Sequence, residues 1–444
     1  MARTPGTQPA DGELEILNVL WSAGRADFGA LRAALQQKLL PAFLGMNVLR
    51  ANRPVTAHES NPAAVRKTSG KKVLMSGRSE GPARELPENP ELVGELKLAI
   101  DAKNLEEVKR LMTRHPELHR APLGYSNNGP LTYAVEWPRR VPLTAEKLAI
   151  LRWMLENGSD VHQGGDGPLM RAALSDANIP VMELLVEHGA DVNAVWGGHY
   201  PVILAPLEVF APGSLKWLLD HGADLHAAAK HCCPVGMLTC IYSRGPREKA
   251  ACLEIAGAAG FALPDTPVMA LHRTRLDLLQ EHLDRDPSLL ARRFTYGEVF
   301  FNIDGTPGDA YPATPVSGGT LLHLALEFDD IDVARWLIEH GADVNARAAI
   351  DAEGFGGHTP LFHTVVNLAA AMGREDDSRA RLLLDHGADP NARASFRQED
   401  KFHGNAPTEA LRDVTPIGYA RRHPDERCVN AVALAAIGER GGKE

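Results

Sequence analysis

Four of the five cysteines fall between Cys232 and Cys252, in "HCCPVGMLTC" and just beyond it, with His231 at their head. Thiolates and an imidazole this close could hold zinc or run redox chemistry. Zinc modules, however, take their ligands in pairs two to four residues apart. Here Cys232 and Cys233 are adjacent, Cys240 follows after six residues and Cys252 after eleven more. That spacing fits no zinc module, and cysteines in helical surroundings pack as small hydrophobes. No metal and no cofactor is expected. A second candidate is the set His188, His221, His340 and His386, each standing immediately before a glycine. One imidazole per copy of a repeated phrase brings no converging carboxylate, and a donor in the last turn of a helix is favoured by the dipole alone. The glycine-rich stretches "NAVWGGHY" and "HQGGDGP" do not sit between a strand and a long helix, as a phosphate loop must. No serine elbow, paired-histidine helix or calcium loop is present, so enzymatic activity is not expected.

Those histidines belong to a phrase that recurs: "WMLENGSDVHQ" from Trp153, "ELLVEHGADVNA" from Glu183, "WLLDHGADLHA" from Trp217, "WLIEHGADVNAR" from Trp336 and "LLLDHGADPNAR" from Leu382. A catalytic constellation needs one copy of each group, so near-identical copies argue for a structural unit that stacks. About 30 residues before the glycine, a small or turn residue usually precedes Pro or Thr-Pro, as in "DTPVMA", "GHTPLFH" and "DVTPIGYA". Thr caps a helix and Pro suits its first turn. A second helix follows, in which Val333, Trp336 and Leu337 share one face at three- and four-residue spacing. Gly341 ends it, and a polar turn, "ADVNAR", leads out toward water.

Helix, helix, glycine stop and projecting turn at a period near 33 residues resembles the ankyrin repeat. The likeness is strongest over Gly357 to Asn391 and good over Gly319 to Asn345 and Asp166 to Asn193. Gly158 to Gly189 is 31 residues and Gly189 to Gly222 is 33, whereas Gly341 to Gly387 is 46 and contains an insertion. Between Gly222 and Gly341 the signature fades, yet two helix-pair patterns persist. The expected fold is an all-α ankyrin-repeat solenoid of about nine helix-turn-helix units over residues 89–444, with a separate helical segment over residues 1–48 and a basic linker over residues 49–88. That resemblance implies binding of a partner protein through the projecting turns and the concave inner-helix face.

"DGELEILNVLWSAGRADFGALRAALQ", Asp11 to Gln36, resembles the opening of the winged-helix penicillinase-repressor family. In place of a recognition helix and a wing, the chain continues "KLLPAFLGMNVLRANRP". A DNA-binding regulator with an ankyrin partner domain is therefore the alternative reading. Charge opposes it: residues 1 to 90 carry 12 basic and 8 acidic side chains, net +4, and the remainder 35 and 49, net -14. An acidic array repels phosphates, so a nucleic-acid partner is not expected. Apolar content of 44% suits a globular protein, and no apolar run has membrane-spanning length. A cytoplasmic monomer that contacts no membrane is expected.

The partner-facing candidates are aromatic residues in turns. Trp196, His199 and Tyr200 lie after one "GADVNA". Tyr296, Phe300, Phe301 and Tyr311 lie in a long connection from Phe294 to Gly318 that is too aromatic for disorder, and Phe355 lies in "AIDAEGFGGH". Glycines at 297, 305 and 308 and prolines at 307, 312 and 315 make the long connection a turn-rich projection, in which at least part of the aromatic set is expected to be exposed.

Overall fold

The computed structural model describes residues 89–123, 129–136, 143–196, 198, 200–240, 245–300, 312–397 and 410–444. All belong to the unit Arg84–Glu444. The expectations for residues 1–48 and 49–88, the winged-helix resemblance among them, lie outside the described residues, as do His199, Phe301 and Tyr311.

The fold is helix-dominated, and apart from short helices at Leu225–Ala228, Tyr296–Val299 and Leu368–Ala371 the described α-helices come in pairs. They run α1 (Pro90–Asp101) with α2 (Leu105–Arg114), α3 (Pro130–Glu136) with α4 (Ala145–Glu156), α5 (Gln163–Ala172) with α6 (Ile179–Glu187), and α7 (Ala205–Val209) with α8 (Pro212–Asp220). Next are α9 (Pro234–Cys240) with α10 (Pro246–Ala258) and α11 (Pro267–His272) with α12 (Leu276–Arg285). The last are α13 (Leu321–Glu327) with α14 (Ile331–Glu339), α15 (Phe362–Val365) with α16 (Ser378–Asp385), and α17 (Pro416–Arg421) with α18 (Ala431–Glu439). Two antiparallel ladders stand among them, β1 (Val195–Trp196) with β2 (Tyr200–Pro201) and β3 (Ala394–Phe396) with β4 (Leu411–Val414). The weak-signature stretch between Gly222 and Gly341 thus keeps its helix pairs.

Local chemistry sets each boundary. Thr266 accepts from Met269 N at 3.1 Å, Asp330 from Val333 N at 3.0 Å and Thr415 from Gly418 N at 3.1 Å, so each fills an otherwise vacant bond at a helix start. Helix ends use glycine with positive φ, 97° at Gly189 and 96° at Gly341, where a side chain would be strained. The preceding histidine closes the same turn: Nδ1 of His188, His221, His340 and His386 lies 2.7–2.8 Å from the carbonyl four residues back. His221 and His340 also stack on Trp217 and Trp336, with ring centroids 3.7 and 4.0 Å apart. These four rings are helix caps.

Stacking register is set by the residue after "GADV", "GADL" or "GADP". Asn193 Nδ2 donates to Gly222 O at 3.0 Å while its Oδ1 accepts from Asp224 N at 2.8 Å. Asn345 makes the same pair of bonds to Gly387 O and Asp389 N, and Asn391 to Gly441 O and Lys443 N. Each asparagine therefore ties one helix stop to the next. At the equivalent place His226 donates from Nε2 to Ala259 O at 2.7 Å and stacks on Phe261. The turns expected simply to face water carry these cross-links.

Candidate functional site

Five of the eight nominated aromatic residues lie among the described residues, and the fold separates them. Trp196 sits in β1, paired in register with Tyr200, and is only 5% exposed. Tyr200 is half-buried and donates its hydroxyl to Glu208 Oε2 at 3.1 Å. In the long connection, Phe294 N donates to Gly319 O and Gly318 N to Phe294 O, at 2.9 and 2.7 Å. Those two bonds join the two ends of the insertion to each other. Phe294 and Phe300 are each 1% exposed, and Val299 and Val316 are buried with them. Phe300 meets Phe328 edge-on at 5.9 Å and Tyr296, half-buried, at 5.0 Å. Trp196 and Phe300 thus occupy core positions, where an incoming protein would not reach them. Phe300 shares one core cluster with Val299, Val316 and Phe328, the residue just past α13. Truncating Phe300 to alanine should cost about 3–5 kcal/mol, the usual loss for a buried phenylalanine. Urea unfolding that matches the parent protein would show that the ring adds no packing.

Phe355 differs. Its half-buried ring lies between two guanidiniums, Arg412 at 3.6 Å and Arg397 at 4.4 Å from its centroid. Asp351 organises the turn that carries it, accepting from Glu353 N and Phe355 N at 2.9 and 3.0 Å. Beside it Ile350 is 63% exposed, more than any other large apolar side chain among the described residues. Gly356 N bonds Ser395 O at 2.8 Å, which joins this turn to β3. An exposed aliphatic group, a ring held on edge by cations and a backbone-bonded support suit recognition, since such anchors bind without first being ordered.

Most of the chemistry-bearing groups that converge are enclosed. His323, His358 and His363 have ring centroids 5.4–5.7 Å apart, and all three are buried. His323 Nδ1 accepts from Thr320 N at 3.0 Å, and its Nε2–H donates to His358 O at 3.1 Å. His358 donates from Nε2 to Pro315 O at 2.8 Å. His363 Nδ1 lies 3.0 Å from Glu327 Oε2, both side chains being wholly buried. Burial pushes the His323 imidazole down to about 3, and burial together with neighbouring His363 and His323 holds His358 well below its ordinary value. His323 and His358, neutral and shut from solvent, and His363 beside Glu327 position three chain segments, but no solute reaches them.

Of the cysteines, Cys240, Cys252 and Cys428 are buried, and Cys232 and Cys233 are half-buried. Burial pushes the Cys232 thiol up to about 11 and the Cys252 thiol up to about 12, so both are poor nucleophiles near neutral pH. Among the described residues, no group of three His, Cys, Asp or Glu side chains converges in a way that could hold a metal ion. Nor is any of their helices long and apolar enough to cross a membrane. A cleft of about 520 Å³ lies beside α12, lined among others by Asp265, His282, Arg285, Arg292 and Glu298. Its arginines are paired, Arg285 with Asp265 at 3.2 Å and Arg292 with Glu298 at 2.6 Å.

The asparagine links, the Glu327–His363 pair and the arginines around Phe355 were not singled out by sequence. "NAR" recurring at 345 and 391 was the available signal for two of these. Compared with known proteins, the chain matches no curated protein. The ankyrin-repeat family model matches residues 164–196 and 317–349, which hold α5 with α6 and α13 with α14. Both segments contain the glycine stop and the asparagine link described above, and on that ground the chain carries ankyrin repeats.

Proposed function

We propose that residues 89–444 form nine ankyrin-type units and act as a cytoplasmic scaffold that binds a partner protein through the projecting turns and the concave inner-helix face. The observation that carries this reading is the division of labour within each turn. Asparagine or histidine links and glycine stops hold the stack together, while Ile350 and Phe355 take no part in those links and stand partly or largely exposed. Tyr200 and Tyr296, each half-buried, are the remaining described candidates for contact, with His199, Phe301 and Tyr311 proposed alongside them. All five cysteines are free thiols, which suits a reducing compartment.

Affinity capture with the whole protein tests the reading. The parent chain is expected to retain a stoichiometric protein partner, and the pair Ile350→Asp with Phe355→Ala should lose it while melting at nearly the same temperature. Equal capture by both chains would remove these residues from the interface. A parent chain that retains no protein at all would count against the scaffold role itself.

A further inference from the structure

Three turns in succession carry an arginine whose guanidinium bonds the backbone of the next. Arg293 Nε donates to Arg347 O at 3.0 Å. Arg347 Nη1 donates to Arg393 O at 2.8 Å and to Gly357 O at 3.0 Å. Arg393 Nη1 donates to Asp413 O at 2.7 Å and reaches Asp413 Oδ2 at 3.1 Å. Arg412, the residue before, turns back to Glu353 O and Gly354 O at 2.9 and 3.3 Å and covers Phe355. All four arginines are exposed. Beneath them the backbone is itself cross-bonded, Ala349 N to Gly318 O and Gly356 N to Ser395 O.

A guanidinium has five N–H donors. The bonds above use one or two on each arginine and fix the group in place, while the remaining donors are those a carboxylate accepts in a fork. Among the described residues, Arg393 is paired with a carboxylate, whereas Arg293, Arg347 and Arg412 bond only carbonyl oxygens. Residues 91 to 444 carry net charge -14, so this row of three fixed cations without a carboxylate partner stands out against the rest of the array. Ile350 and Phe355 lie within that row.

We propose that this arginine row is the docking track for an acidic, extended peptide segment of a partner protein, with its carboxylates on Arg293, Arg347 and Arg412 and an apolar side chain on Ile350 and Phe355. The assignment rests on the scaffold reading and gives the partner its chemistry. Asp351, Glu353 and Asp413 are interspersed along the track. A polyphosphate chain, charged at every step, meets them, while a peptide can place neutral residues opposite them.

The test uses the full chain and a fluorescein-labelled peptide alternating glutamate and leucine, read by fluorescence anisotropy. Its lysine–leucine counterpart and a single-stranded oligonucleotide are run beside it. The glutamate peptide should bind, more weakly as salt is raised, and the lysine peptide should not. Replacing Arg293, Arg347 and Arg412 together by glutamine should weaken binding about tenfold or more, since it removes the charge-assisted bonds to the peptide's carboxylates. Arg412→Gln alone, which leaves the bonds of Arg293, Arg347 and Arg393 in place, serves if the triple variant does not fold, and should show a smaller loss. Unchanged binding in a folded variant overturns the proposal, as does an oligonucleotide that binds equally well with the same arginine dependence. If the full chain captures a protein partner that the arginine changes do not affect, the track is wrong and the scaffold reading stands. A chain that captures no partner refutes the scaffold reading instead.

Discussion

Replacing Glu327 by alanine is expected to destabilise the protein by about 3–5 kcal/mol, as when one member of a buried ion pair is removed. The side chain is wholly buried at the end of α13, where three segments distant in sequence meet. Oε1 accepts from Ala313 N at 3.0 Å, and Oε2 accepts from Thr314 N at 3.4 Å while facing His363 Nδ1 at 3.0 Å. Alanine would strand two amide donors and an imidazole away from water. Glutamine keeps an acceptor oxygen and should lose less, about 1–3 kcal/mol. Urea unfolding followed by circular dichroism measures both, and amide exchange locates the damage. The amides of Ala313 and Thr314 should exchange faster in the alanine variant, because Glu327 is their acceptor. If Glu327→Ala unfolds like the parent and those amides stay protected, the carboxylate is not what anchors the end of the insertion.

Nothing in "LALEFDD" marks Glu327 as a core residue. An acid near a helix end reads as solvated, and only folding brings residues 313–314 and 363 to it. The same holds for Phe300, which stands in a connection rich in glycine and proline while the residues it packs on include Phe328. By contrast, the helix starts and stops were legible, because Thr266, Thr415, Gly189 and Gly341 act within one turn of their own backbone. Asn193, Asn345 and Asn391 fall between these cases. Their recurrence was visible, but their partners are on the next turn, 29 to 50 residues away, so their purpose was not. Arg293, Arg347 and Arg393 escaped notice for the same reason, since "ARRF" and "NARA" look like ordinary polar turns until the carbonyl acceptors are in place. Sequence thus revealed what is local and repeated, and missed polar groups whose partners are long-range.

Acid should weaken this protein well before its carboxylates protonate. His323 and His358 are buried and neutral, with folded values pushed down to about 3 for His323 and well below the ordinary value for His358. An unfolded chain protonates both near pH 6.5. Below that point the unfolded state binds protons that the folded state refuses, so stability is fully present above about pH 6.5 and declines as pH falls. For His323 the slope approaches about 1.4 kcal/mol per pH unit, which between pH 7 and pH 5 amounts to about 2 kcal/mol, and His358 adds a loss of the same sign. The groups facing these rings favour the neutral state, since His363 and Arg293 oppose a further positive charge on His323, and His363 and His323 do so on His358. Hydrogen bonding does not reverse this. His323 Nδ1 already accepts the Thr320 amide, so a proton there would break the cap of α13 as it added charge. Urea midpoints at pH 7, 6 and 5 should therefore fall steadily, and His323→Gln, less stable at pH 7, should show a shallower decline. Midpoints that stay level down to pH 5 would mean that both rings accept protons without loss, which requires water to reach a cluster that the fold encloses.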